Sequence, residues 1–279
     1  MKQQFNNQLL SSFYLWFDNR ILNNGQGYQT YLGQTGFFQP EPSRTGYCWA
    51  FPYKSMVYDS SASGALVMSG VYNQAGNFLT RQSGITIDYI HGRVFAPTNL
   101  GPIVSGSFSR KEYNVYVSTE EETEFYLDKL FNQNPNIVLP ATGVTYGRFT
   151  APCIILTDSY NVNRPFAFGG QDASQKTIRA FVISDNNYAQ EAVTSLMIDS
   201  ARSYFPIIGS TLSPINGAGD VKGGSYNYVN MVANSTPSVL IDNVYLIKMG
   251  EKSNKNKNFA ISILEFDTIT VRYPRVETA

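Results

Sequence analysis

The stretch "DYIHGRVF", residues 88 to 95, contains His91, the single histidine of the chain. Histidine is the side chain that most readily moves protons near neutral pH, so catalysis is the first role to weigh. A Ser-His-Asp triad would have to be built on His91, but the GxSxG elbow that presents such a serine does not occur. Two extended runs flank His91-Gly92, and this predicts a tight hairpin with a two-residue X-Gly loop, in which His tolerates a left-handed conformation. His91 is therefore read as a turn residue, replaceable by Asn.

Other chemistry is equally sparse. One histidine and two distant cysteines, Cys48 and Cys153, do not make a common zinc site. Glu120, Glu121, Glu122 and Glu124 could pair as catalytic carboxylates or bind a cation. Three of them fall in the first turn of an expected helix, where negative charge meets exposed N–H groups, and that is the preferred reading. The loop "GAGDVKGGSYN", residues 217 to 227, lacks the phosphate-binding order, because Lys222 is followed by Gly223 and no clear helix follows. A surface loop fits it better. Lys252, Lys255 and Lys257 alternate with asparagines in "EKSNKNKN" and could touch a phosphate backbone or an acidic partner, the plainer reading being a solvated hairpin tip. These three lysines are the only partner-contact residues expected. No catalytic, cofactor-binding or metal-ligating residue is assigned, and no cofactor is implied.

Composition points the same way. Across 279 residues, 21 Lys and Arg balance 21 Asp and Glu, so net charge makes no general case for nucleic acid. Charged residues are 15%, below the roughly 25% usual in soluble domains. The chain carries 19 tyrosines and 18 phenylalanines, which suits either a β-rich fold or large protein contacts. The two cysteines are expected to be reduced core residues of an intracellularly folded protein. No apolar run approaches a membrane span. The start, "MKQQFNNQLLSSFYLWFDNR", is interrupted by Ser11, Ser12, Asp18 and Arg20 and does not read as a signal peptide.

That start reads instead as a helix, with Leu9, Leu10, Phe13, Trp16, Phe17 and Ile21 on one face and Asn24-Gly25 as its stop. The passage to Tyr53 has too many breakers for helix. Short strands are expected from 55 to 118, forming a small sandwich or barrel. A helix is expected in "STEEETEFYLDKLF", then strands in "NIVLP", "VTYGRFT", "PCIILTD" and Lys176–Ser184. A long helix over 187–204 follows, capped by Asp185 or Asn187, with Ala192, Val193, Leu196, Met197, Ala201 and Tyr204 as its buried stripe and Pro206 after it. Two alternating strands, "SVLIDNVYLIKMG" and "FAISILEFDTITVRYP", close the chain. The expected fold class is α+β: residues 1–117 form an N-terminal helix plus β-rich domain. Residues 118–279 form an α+β domain with a mainly antiparallel sheet and one long packed helix.

"LLSSFYLWFDNRILNNGQGYQT", "SGITIDYIHGRVF" and "IRAFVISDNNYAQEAVTSLMIDSARSYFPI" resemble virion proteins of large tailed bacteriophages. The second half is similar to the tail-terminator and neck class, although the first half is longer than in compact terminators. The resemblance implies a non-enzymatic ring component, hexameric, at the head–tail junction or the top of the tail. Its implied partners are its own copies and neighbouring neck, tail tube or sheath proteins, with at most transient contact with passing DNA and no membrane. Its implied location is the virion, assembled in the host cytoplasm. A carbohydrate- or receptor-binding module is the alternative, recognisable by an exposed aromatic shelf at Trp16, Trp49 or Tyr28–Tyr31. A cell-wall hydrolase would need a poised carboxylate pair involving Asp88 or Asp158.

Overall fold

A computed structural model describes residues 5–40, 46–118, 152–165, 172–209, 211–215, 224–235, 238–248 and 260–272. Its described elements are helices α1 (Phe5–Asn23), α2 (Asn187–Ile198) and α3 (Tyr228–Ala233), with strands numbered in chain order. The strands are β1 (Tyr28–Phe38), β2 (Tyr47–Ala50), β3 (Gly70–Tyr72), β4 (Phe78–Thr80), β5 (Thr86–Asp88), β6 (Arg93–Ala96) and β7 (Ile103–Lys111). After them come β8 (Asn114–Val117), β9 (Cys153–Pro165), β10 (Asp172–Ser184), β11 (Tyr204–Pro206), β12 (Ser238–Lys248) and β13 (Ala260–Arg272). The class is α+β with mainly antiparallel sheets, and strand outweighs helix.

The chain divides into two compact units, both discontinuous in sequence. One comprises Met1–Trp16, Asn114–Thr211 and Ser235–Ala279, and the other Phe17–Tyr113 and Leu212–Asn234. The change expected at residue 118 lies close to the passage between units at Tyr113–Asn114, but each unit also draws on the other half of the sequence.

The first unit is built on a six-stranded sheet in the order β11-β12-β13-β10-β9-β8, antiparallel except for β8 beside β9. Period-two alternation in β10 and β13 puts Ile178, Ala180, Val182, Leu264 and Phe266 on one fully covered side. Phe13 of α1 meets that side, its ring 5.5 Å from Phe205 and 5.0 Å from Phe266, both edge-on. Burying rings of this size is worth roughly 1.5–3 kcal/mol each. Ser12, buried among them, donates to Gln8 C=O at 2.6 Å and accepts from Ile208 N–H at 2.9 Å, so its hydroxyl is satisfied both ways.

Helix α2 packs on β10, β12 and β13 and buries Val193 and Met197. It is twelve residues long, not the long helix expected over 187–204. Ala192 and Ala201 are exposed, Leu196 is half-buried and Tyr204 already belongs to β11. After Ile198 the backbone leaves the helical ladder for three-residue turns, Ser200 N–H donating to Met197 C=O and Ala201 N–H to Ile198 C=O, and Arg202 with φ 67° then turns the chain into β11. Its cap is Asn186, whose side chain accepts from Ala189 N–H at 2.7 Å, and neither Asp185 nor Asn187 fills that place.

The second unit holds a seven-stranded, wholly antiparallel sheet in the order β4-β3-β7-β1-β2-β6-β5, one sheet where a sandwich or barrel was expected. Its longest strands, β1 and β7, lie in passages where turn residues masked them. Gly33 explains β1: with φ +59° it sits in the bulge between Tyr31 and Gln34, so the glycine bends the strand without ending it. Trp49, Phe51, Met68, Val71, Val94, Val104 and Phe108 are buried in this unit.

Candidate functional site

His91 lies in a loop of four residues, Tyr89 to Gly92, between Asp88 and its strand partner Arg93, so the expected two-residue loop is corrected. The left-handed residue is Gly92 (φ +65°), not His91. A Cβ on Gly92 would stand 2.0 Å from Tyr53 C=O, which only glycine avoids. His91 is exposed; its Nδ1 is 2.8 Å from Asp88 Oδ2 and its N–H donates to Asp88 Oδ1 at 3.1 Å. Asp88 thus shapes the loop by accepting twice. A His–Asp pair is two thirds of a triad, but among the described residues no serine, threonine or cysteine hydroxyl or thiol hydrogen-bonds to His91.

Both cysteines are buried and neither forms a disulfide, as expected for reduced core residues. Burial pushes the Cys153 thiol up to about 12, which keeps it protonated and unreactive. Among the described residues no three of His, Cys, Asp and Glu gather to hold a metal ion. The glutamates 120–124, residues 217–223 of the glycine-rich loop, and Lys252, Lys255 and Lys257 all lie outside the described residues. Asp158, one of the carboxylates considered for hydrolysis, is half-exposed and 2.7 Å from the buried Lys176 ammonium. Among the described residues that ammonium has no aligned hydrogen bond despite the short separation.

A buried charge cluster that sequence reasoning missed lies wholly inside the second unit. Asp18 Oδ2 accepts from Lys111 Nζ at 2.5 Å and from the Tyr226 hydroxyl at 3.3 Å, and the Lys111 ammonium stands 4.1 Å above the Tyr58 ring. Nearby, Asp59 is fully buried and accepts from Asn19 Nδ2 (2.8 Å), Ser61 N–H (2.9 Å), Ser61 Oγ (2.7 Å) and Tyr228 N–H (3.1 Å). Burial raises the Asp18 pKa, while the Lys111 charge and the Lys111 and Tyr226 hydrogen bonds pull it back. Burial, with the Asp59 charge adding to it, pushes the Tyr228 hydroxyl well above its usual range. Asp18, Lys111 and Asp59 are almost closed to solvent, so substrate has no access to them. Their chemistry is architectural: they fasten α1, the 59–61 turn, β7 and the start of α3 to one another. One local sign was readable, a charged Asp18 directly after the unbroken apolar run Phe13–Phe17 of α1.

The surface features are more open. Trp16 and Trp49 are buried and Tyr28 and Tyr31 half-buried, so none provides the expected aromatic shelf. A shelf exists elsewhere, on the outward face of the seven-stranded sheet. Tyr72 is paired with Phe78 and with Ser105, Ser105 with Thr35, and Ile103 with Phe37, which sets all six side chains on one face. Of these, Phe37 is 60% exposed, Tyr72 48%, Phe78 46% and Ile103 41%. The Tyr72 and Phe78 rings lie 4.8 Å apart.

On the first unit, the outer face of the six-stranded sheet carries Arg179 Nε bonded to Glu265 Oε1 at 2.6 Å and Thr177 Oγ1 bonded to Asp267 at 2.8 Å. Tyr245 and Ile247 stand exposed on that same face. No protein-family model matches this chain, and no curated protein matches it.

Proposed function

We propose that this chain is a non-enzymatic assembly subunit whose work is done by its surface, a ring-forming component of the head–tail neck or upper tail of a tailed phage. The observation that carries the assembly reading is the outward face of the seven-stranded sheet. Phe78, Tyr72, Ile103 and Phe37, on four consecutive strands, leave two apolar pairs, Tyr72–Phe78 and Ile103–Phe37, in water on one face, and exposed apolar side chains gathered on one face mark protein contact sites. The station in the virion rests on the sequence resemblance. The tail-terminator-like reading of the second half draws support from a mainly antiparallel sheet with α2 packed on it. A closed ring of six is the proposed assembly, with neck, tail tube or sheath proteins as neighbours and DNA as a passing contact.

Negative-stain imaging of the purified chain tests the ring: closed hexamers are expected, and a field of single subunits at high concentration overturns it. A second reading, a carbohydrate-binding module, is favoured by one feature: the Thr35 and Ser105 hydroxyls share the shelf with the Tyr72–Phe78 ring pair, as sugar stacking requires. Because both tryptophans are buried, tyrosine chemical shifts during glycan titration are the fitting readout. Shifts confined to Tyr72 would transfer the shelf to that function.

A further inference from the structure

Strand β12 has eleven residues, and β11 pairs only with the first three, Ser238–Leu240. The contact extends one residue further: Ile241 N–H donates to Ser203 C=O and Arg202 N–H donates to Ile241 C=O. From Asp242 to Lys248 no described strand lies on that side of β12. Ile241 directs both backbone groups away from its β13 partner Thr268, so in the antiparallel alternation Asp267, Glu265 and Ile263 are the β13 residues that face β12. Their partners are Asn243, Tyr245 and Ile247, because the register shifts at Asp242, which has no β13 partner and lies in a bulge between Ile241 and Asn243. Val244, Leu246 and Lys248 therefore turn their N–H and C=O groups outward. Such an edge is a template for another strand unless charge or proline guards it.

Here the guards stand only at the ends. Asp242 pairs with Arg202, and Lys248 Nζ lies 3.0 Å from Glu191 Oε1. Between them Asn243, Val244, Tyr245, Leu246 and Ile247 carry no charge and no proline.

We infer that this edge takes a second copy of itself, β12 of another chain running antiparallel with the two-fold axis at Tyr245. That register sets Val244 beside Leu246 of the partner subunit, and both turn their backbone groups into the seam. Asp242 falls opposite Lys248 of the partner subunit, and symmetry repeats the opposite-charge pair at the other end. Moving the axis by one residue loses both charge matches, and a parallel arrangement sets Asp242 beside its own copy. Tyr245 meets the partner's Tyr245 across the axis, and Ile247 lies next to it on the same face, so both exposed side chains gain cover. Ser203, already bonded to Ile241, bounds the seam at Asp242. The contact joins two chains by two-fold symmetry and does not depend on the ring.

Cysteine crosslinking of the full chain tests the seam, with little background expected because Cys48 and Cys153 are buried. Directly opposed side chains have Cβ atoms about 4.5–5.5 Å apart, close to disulfide reach. Under mild oxidation Y245C is expected to give a disulfide-linked dimer on a non-reducing gel. N243C alone and I247C alone should give none, and mixing those two should restore the link. In parallel, D242K should lose the dimer in sedimentation, and D242K with K248D in the same chain should regain it. The crosslink is read between pairs whether or not rings form, so it stands or falls apart from the ring. A folded Y245C chain with no linked dimer, or equal linking of Y245C and N243C, overturns the inference, as does failure of the double charge reversal to restore association.

Discussion

Lys111 and Lys176 are both nearly sealed from water, 4% and 2% exposed, yet they lie in opposite surroundings. Lys111 has a buried carboxylate at 2.5 Å and an aromatic face beneath its ammonium, and that carboxylate takes a tyrosine hydroxyl as well. Lys176 approaches a carboxylate that keeps half its surface in solvent, and among the described residues its ammonium makes no aligned hydrogen bond. The burial of the cation is therefore a poor guide to what it stabilises, and the exposure of the partner decides. Removing Lys111 strands a charge inside the protein, whereas removing Lys176 returns Asp158 to water that it already touches.

The sharpest break of this comparison is Lys111→Met. It should cost about 3–5 kcal/mol in denaturant unfolding, because Asp18 is left buried without its cation. The loss should also depend on pH. The raised Asp18 pKa means that the folded state holds this proton more tightly than the unfolded state, so its contribution is present below the ordinary carboxylate pKa and falls as pH rises through the raised one. Without Lys111 to pull the pKa back, that fall should extend to higher pH than in the parent.

Adding Asp18→Leu to Lys111→Met should recover most of the stability, leaving a deficit of about 1–2 kcal/mol, since the stranded charge has gone and two apolar side chains replace the pair. A double variant no better than Lys111→Met would show that the cluster holds the unit by shape instead of charge.

Lys176→Met is the counterpart and should shift stability by less than about 1 kcal/mol, with a gain as acceptable as a loss. A cost matching that of Lys111→Met would erase the distinction. Smallest of all, His91→Asn should leave the unfolding midpoint unchanged within error, because its ring is in solvent and Asn preserves the N–H that Asp88 holds. Calorimetry on that variant tests the turn reading of His91.

What the sequence disclosed follows the range of the interactions involved. The alternation of Ser262, Leu264 and Phe266 against Ile261, Ile263 and Glu265 was legible because strand periodicity is local, and the first of these sets is the wholly buried one. Helix α1 was legible for the same reason. The end of α2 was not, because Ala201 and Tyr204 keep the helical spacing while the backbone has already left the helix after Ile198. Strand β1 was hidden by Gly33, whose bulge looks like a breaker when read without its partner strand. The Asp18–Lys111 pair spans 93 residues and the Asp59–Tyr228 contact 169, so no local pattern could join them. The shelf was obscured for a related reason: Phe37 and Phe38 are adjacent, and only the pairing with Ile103 and Trp49 tells which faces outward.

The central claim, that this chain works by assembling through exposed apolar surface, meets its most direct test in the mass of the purified full chain by light scattering. The chain is compared with a variant carrying Phe37→Asp and Tyr72→Asp, both exposed positions that should leave the fold intact. The parent should have several times the mass of one chain, and the variant should fall to a smaller species while melting at the same temperature. A parent that stays at the mass of one chain at every concentration, with the variant identical to it, would contradict the claim.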